Sequence, residues 1–202
     1  KNSGDSGQAT SLNWTLPAGV SAGDIAWPLP VKIPIGTLAN YGYEGTVLLP
    51  VPLTISPDFK PNGLTAELEV KLQASWLVCK QECVPQDGQF LLRIPTKGSI
   101  ALNSAQFNAA FKAQPTALKV ASSITVEGNN LKVSVPGLPA SLRGKTLDFF
   151  PEIQEVIETA AQWTQSWQGD TWSAVVPIAT QRGASPTTLP VVVAGKVGNE
   201  RL

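Results

Sequence analysis

The sequence predicts an all-β protein: two β-sandwich-like domains in tandem with one short linking helix. Three observations lead there. Seventeen glycines and seventeen prolines punctuate the 202 residues at short intervals, which suits short strands and turns and opposes long helices. Apolar and polar residues alternate over residues 65–78, the pattern of a strand with one buried face. Helical spacing stands out once, at 103–113, where Phe107, Ala110 and Phe111 share a face, Ser104 is placed to cap, and Pro115 ends the run.

The elements follow in order. Pro28, Pro30 and Pro34 alternate with Trp27, Leu29, Ile33 and Ile35, which predicts an extended edge segment. Residues 38–45 hold Tyr41 and Tyr43 between glycines and read as an aromatic loop. Strand character returns over 47–55, interrupted by Pro50 and Pro52. The run 65–78 puts Leu68, Val70, Leu72 and Trp76 on one face. It is long for one strand, so a bulge is expected within it. Phe90, Leu92 and Ile94 mark a second run, and the two runs read as the arms of a hairpin around the cysteines. A boundary just after the helix divides the chain into 1–114 and 115–202. Beyond it, strands are expected at 124–126, 131–135, 147–150, 172–176 and 189–193, with Gly128, Asn129 and Asn130 forming a turn. Phe149, Phe150, Trp163, Trp167 and Trp172 read as core.

Composition narrows the chemistry. Lysine plus arginine is 15 and aspartate plus glutamate is 15, so the formal net charge is zero and nothing favours nucleic acid as a partner. There is no histidine, which removes the commonest general base and excludes Ser-His-Asp and Cys-His sites. Two cysteines cannot supply a four-thiolate zinc site. No apolar run reaches the roughly 18 to 20 residues that span a bilayer. Residues 1–7 are polar and glycine-rich and read as an interior piece of a longer protein.

Cys79 and Cys83 are therefore the candidate chemistry. Cys79 shares the odd register of Glu67 and Lys71, and Cys83 that of Gln89 and Arg93, so without a bulge both thiols face away from the core. Three readings stay open. A structural staple would close so short a loop for only about 2 kcal/mol. Two thiolates could hold Cu(I), but no histidine, methionine or third cysteine would complete a higher-coordinate site. A reversible dithiol/disulfide pair is the third and leading one.

The residues Trp76-Leu77-Val78-Cys79 and Cys83-Val84-Pro85 resemble the cysteine motif of the N-terminal periplasmic domain of the DsbD family of thiol:disulfide interchange proteins, and most closely its ScsB-type branch, linked with suppression of copper sensitivity. Lys1-Asn2-Ser3-Gly4-Asp5-Ser6-Gly7, Asn13-Trp14-Thr15-Leu16-Pro17, Trp27-Pro28-Leu29-Pro30 and Asn40-Tyr41-Gly42-Tyr43-Glu44-Gly45 agree, and Phe149-Phe150-Pro151-Glu152 resembles a second module of the longer branch. The cysteine spacing departs from the wider spacing of the short members. The resemblance implies immunoglobulin-like domains and catalytic Cys79 and Cys83, with Cys83 attacking partners. It implies a cap loop at 38–45 with Tyr41 or Tyr43 as the shielding ring. No cofactor and no metal-ligating residues are expected beyond the open Cu(I) reading of the two thiolates. The expected location is the periplasm, as the soluble part of an inner-membrane protein, attached to the membrane only through a transmembrane region outside this sequence. The expected partners are thioredoxin-like periplasmic proteins and a thioredoxin-like C-terminal domain of the full-length protein.

Overall fold

The computed structural model describes residues 1–61, 66–80, 82–98, 101–183 and 185–202; Thr65, at the expected start of the long alternating run, lies outside them. Strands β1 (Ser11–Thr15), β2 (Val20–Ala22), β3 (Val31–Ile35), β4 (Leu38–Gly42), β5 (Leu53–Ile55), β6 (Glu67–Cys79) and β7 (Cys83–Pro95) precede helix α1 (Ser104–Lys112). After it come β8 (Ser123–Glu127), β9 (Asn130–Val135), β10 (Leu147–Pro151), β11 (Thr164–Gln168), β12 (Thr171–Pro177), β13 (Val191–Val197) and β14 (Glu200–Arg201). The chain is all-β in class, as expected. Its residues form two compact units, one of residues 8–28 and 46–114, the other of 1–7, 29–45 and 115–202. Relative to the expected division into 1–114 and 115–202, residues 1–7 and 29–45 fall in with the C-terminal half.

The first unit contains the sheet β1-β6-β7, the ribbon β2-β5 and α1. β6 is central, with β1 on one side and β7 on the other. Its buried residues Leu68, Val70 and Ala74 recur at every second or fourth position, the period-two signature that the sequence carries. The region 47–55 yields a strand only at Leu53–Ile55, because Pro50 and Pro52 remove ladder donors before it. The helix starts one residue later than expected. Asn103, not Ser104, occupies the N-cap, and no side chain caps the helix. Of the expected apolar face, Ala110 is buried while Phe107 and Phe111 remain exposed.

The second unit pairs the sheet β10-β13-β14 with the sheet β11-β12-β9-β8 over one core. Inward residues alternate along the strands: Leu131, Val133 and Val135 from β9, Trp172, Ala174 and Val176 from β12, Leu147 and Phe149 from β10. Trp163 and Trp167 pack against this cluster from partly buried positions. Gln165 binds the two sheets to each other. Its Oε1 accepts the Leu147 backbone N–H and the Trp172 indole N–H, each at 2.8 Å, and its Nε2 donates to the Leu147 carbonyl at 3.2 Å.

Residues 38–45, expected as a loop, open with a strand. β3 and β4 form a hairpin closed by the pair Ile35↔Leu38, so Gly36 and Thr37 are the whole turn. Gly36 has φ of 59°, the left-handed conformation such a two-residue turn demands. The N-terminal segment lies against β4: the Tyr41 N–H donates to the Ser3 carbonyl and the Asp5 N–H to the Ala39 carbonyl, both at 3.0 Å. Gly4 bridges Asn40 with φ of 85°, and a β-carbon there would sit 2.5 Å from the Ala39 oxygen, so only glycine fits.

Gln165→Ala strands two buried N–H donors and is expected to cost about 2–4 kcal/mol. Ser166→Ala, on the exposed side of the same strand, is expected to stay within about 0.5 kcal/mol. Urea unfolding of the two variants against the parent measures both.

Candidate redox site

β6 and β7 pair residue for residue from Glu67↔Pro95 to Cys79↔Cys83. Within that ladder the expected bulge does not occur. The two strands are both 13 residues long, so no extra residue has to be absorbed between them. Just beyond the strand ends the Lys80 N–H donates to the Glu82 carbonyl at 3.1 Å.

Because opposed residues share a face, unbroken register decides where the cysteines point. Leu68, Val70 and Ala74 fix the even positions of β6 as the core face. Cys79 and Cys83 lie on the other face, with Glu69, Lys71 and Arg93. They form a disulfide, Sγ to Sγ 2.05 Å and Cα to Cα 4.1 Å. Cys79 is exposed and Cys83 half-buried. The ladder already holds both strand ends in place. Closing so short a loop adds only about 2 kcal/mol by chain entropy, so stability alone is a weak reason for the bond.

The surroundings are polar on the cysteine face. Glu69 pairs with Lys71 at 3.3 Å and with Arg93 at 3.5 Å. A hydrogen bond from Lys71, then the charges of Lys71 and Arg93, hold the Glu69 carboxyl below its usual value. On the opposite face Val78 and Val84 form an exposed cross-strand pair beside the disulfide, 54% and 44% accessible. Both valines belong to the cysteine motif, and their even register puts them on the face opposite the sulfurs. Trp76 sits half-buried on that same face, opposite Gln86, as a packing residue. Among the described residues no group of three or more His, Cys, Asp and Glu side chains gathers to hold a metal.

Tyr41 and Tyr43 belong to the other unit. Tyr41 is buried against Phe150, ring centroids 5.0 Å apart and edge-on, in a cluster with Ala194. Burial pushes its hydroxyl far above the ordinary tyrosine value. A hydrogen bond with Thr159 opposes that shift, and the charges of Asp5 and Asp148 add to it. Tyr43, just past β4, is half-buried, and burial raises its hydroxyl to about 12.

Residues 6–95 match the family model described as thiol:disulfide interchange protein DsbD, N-terminal. That segment belongs to the DsbD N-terminal family. Both cysteines and the whole of the β6–β7 hairpin fall inside it. The crystal structure of the N-terminal periplasmic domain of ScsB from Proteus mirabilis superposes with a TM-score of 0.65 at 18% identity, covering 100% of this chain and 77% of that one. At that identity the likeness is one of fold, and it extends the immunoglobulin-like all-β class over the full chain. No curated protein matches the sequence. A disulfide on the outer face of a hairpin tip, within a DsbD-type segment, supports thiol–disulfide exchange as the general chemistry. Among the described residues no helix is long and apolar enough to cross a membrane.

The buried tyrosines give a signed pH dependence. Above pH 10 the unfolded chain releases tyrosine protons that folded Tyr41 and Tyr43 retain, so stability is intact below pH 10 and falls as pH rises beyond it. The slope is at most about 1.4 kcal/mol per pH unit for each tyrosine. Tyr41→Phe is expected to flatten the fall, as read by urea unfolding at pH 9 and pH 11.

Proposed function

We propose that this chain relays electrons in the periplasm, from a membrane-embedded reductase to oxidised thioredoxin-like proteins, through reversible opening of the Cys79–Cys83 disulfide. The observation that carries the proposal is that bond's position, at the exposed end of an unbroken hairpin ladder inside the family segment. The ladder presents the sulfurs to an incoming thiolate on the face away from the buried residues Leu68, Val70 and Ala74.

The exchange balances in two halves. A thiolate of the reduced donor attacks one sulfur, the Cys79–Cys83 bond breaks, and a mixed disulfide forms. The donor's second thiolate attacks that mixed disulfide and leaves oxidised, with both cysteines reduced and two protons taken up from solvent. In the second half the Cys83 thiolate attacks the partner's disulfide, and Cys79 then displaces the reduced partner. The donor in this scheme is the thioredoxin-like C-terminal domain of the full-length protein. The family description supports the reaction class, and the periplasmic origin of the ScsB structure supports the compartment.

Cys79→Ser is expected to trap a mixed disulfide when its Cys83 thiolate attacks the intact disulfide of an oxidised thioredoxin-like protein, whose second sulfur leaves as a thiolate, visible as a covalent adduct on non-reducing gels after free thiols are alkylated. Cys83→Ser is expected to trap far less. If neither variant traps an adduct and the native bond resists glutathione at potentials above about −300 mV, the disulfide is a structural staple and the relay is wrong. Tight, stoichiometric Cu(I) retention by the reduced chain would favour a metal-holding module instead.

The resemblance implies a shielding role for residues 38–45, with Tyr41 or Tyr43 as the ring, and Tyr43→Ala tests the second of these without disturbing the packing of Tyr41 on Phe150 and Ala194. Tyr43→Ala is expected to speed reduction of the disulfide by glutathione several-fold, while Tyr41→Phe leaves the rate unchanged. Equal rates for Tyr43→Ala and the parent would remove the lid.

A further inference from the structure

β7 is an edge strand, bonded to β6 and to no other strand among the described residues. Its free edge has a defined polarity. The Thr96 N–H donates inward to the Ala66 carbonyl and the Lys80 N–H to the Glu82 carbonyl, so even positions of the hairpin ladder point into it. Pro85, which lacks an N–H, pairs with Leu77 at an odd position, in agreement. The backbone groups of Asp87, Gln89, Leu91 and Arg93 therefore point outward. Pro85 and Pro95 bracket this window. Edges of this length are normally blunted by charge, by bulges or by covering segments. Here the side chains are apolar and uncovered: Phe90 is 54% exposed, Leu91 54% and Leu92 59%.

We propose that the β7 edge is a self-association surface, on which a second copy of this chain adds its own β7 antiparallel about a two-fold axis at Phe90. The sequence of the strand selects that occupant. An isologous pair must be self-complementary, residue i facing j and j facing i. Centring the axis on Phe90 places Phe90 against Phe90 of the second copy at a narrow pair, which the outward polarity of the odd residues requires. It places Asp87 opposite Arg93 twice, on the polar face of the sheet. It puts Gln89 opposite Leu91, and Leu92 opposite Gly88, over which the chain's own Phe90 ring lies, so that Leu92 of the second copy meets that ring. It also sets Pro85 opposite Pro95, so the residues without N–H groups meet at the ends of the ladder. Arg93 is bonded on its own chain to Glu69 at 3.5 Å and is 62% exposed, so its guanidinium can bridge both carboxylates. The ladder stops short of the cysteines. With about 3.4 Å per residue, the two hairpin tips lie roughly 48 Å apart at opposite ends of the joined sheet, and both disulfides stay open to partners.

The interface is small, so self-association is expected on the order of tens to hundreds of micromolar, read by sedimentation velocity over a concentration series. Asp87→Arg opposes like charges and is expected to weaken the dimer at least about tenfold. The double exchange Asp87→Arg with Arg93→Asp is expected to restore it. Phe90→Cys, whose new thiol has no free cysteine on its own chain to pair with while Cys79 and Cys83 are joined, is expected to yield a covalent dimer on mild oxidation. A wild-type chain that stays monomeric up to about 1 mM overturns the proposal, and is the outcome if the edge instead takes a strand from a different protein. A dimer indifferent to Asp87→Arg, or one that Phe90→Cys cannot lock, overturns it as well. Circular dichroism of each variant separates a lost interface from a lost fold.

Discussion

The uninterrupted register between β6 and β7 is the constraint on which the rest of the first unit depends. A slip of one residue would exchange the faces of the arm that moved, sending Leu68 and Val70 outward or turning a cysteine toward the core. The buried apolar residues forbid such a slip, and their hold is transmitted along the ladder to Cys79 and Cys83. The position of the sulfurs is thus set by hydrophobic burial some 10 residues away, not by anything in the turn itself. The turn only has to be short enough for the two cysteines to remain cross-strand neighbours.

This arrangement asks little of the residues around the disulfide. Thiol–disulfide exchange needs access to sulfur and a partner that brings its own thiolate. A chain without histidine can therefore support it, where acid–base hydrolysis would fail for want of a base. The charged face beside the cysteines is held by surface ion pairs that contribute little to stability. Their value lies in keeping that face hydrated and unlike the core face on the other side of the same sheet.

Much of this was legible in the sequence. Alternation over 65–78 identified the strand because one face is buried, and parity then located the cysteines outside the core. The cysteine motif, with its flanking Trp76 and Pro85, pointed to the same family as the match over residues 6–95. Other features were hidden for physical reasons. The two-residue turn at Gly36 and Thr37 carried a hairpin signal, but the glycines and tyrosines after it resembled a loop, and Leu38–Gly42 was missed as a strand. That Tyr41 would join Phe150 and Ala194 depends on a core assembled from residues over 100 positions away, which no local pattern encodes. The exposure of Phe107 and Phe111 was equally invisible, since helical spacing reveals a shared face but not what lies opposite it.

The interleaving of the two units has a consequence for how such a chain can be cut or recombined. The backbone passes from one unit to the other at 7/8, 28/29, 45/46 and 114/115. A stop after residue 114 would not release an intact N-terminal half. It would leave the β3–β4 hairpin without Phe150 and Ala194, and Asn2 without the Pro151 carbonyl that its side chain reaches at 2.8 Å. Each unit is thus compact in space but discontinuous in sequence. Gaining or losing the C-terminal sandwich in evolution would require rewriting residues 1–7 and 29–45 at the same time.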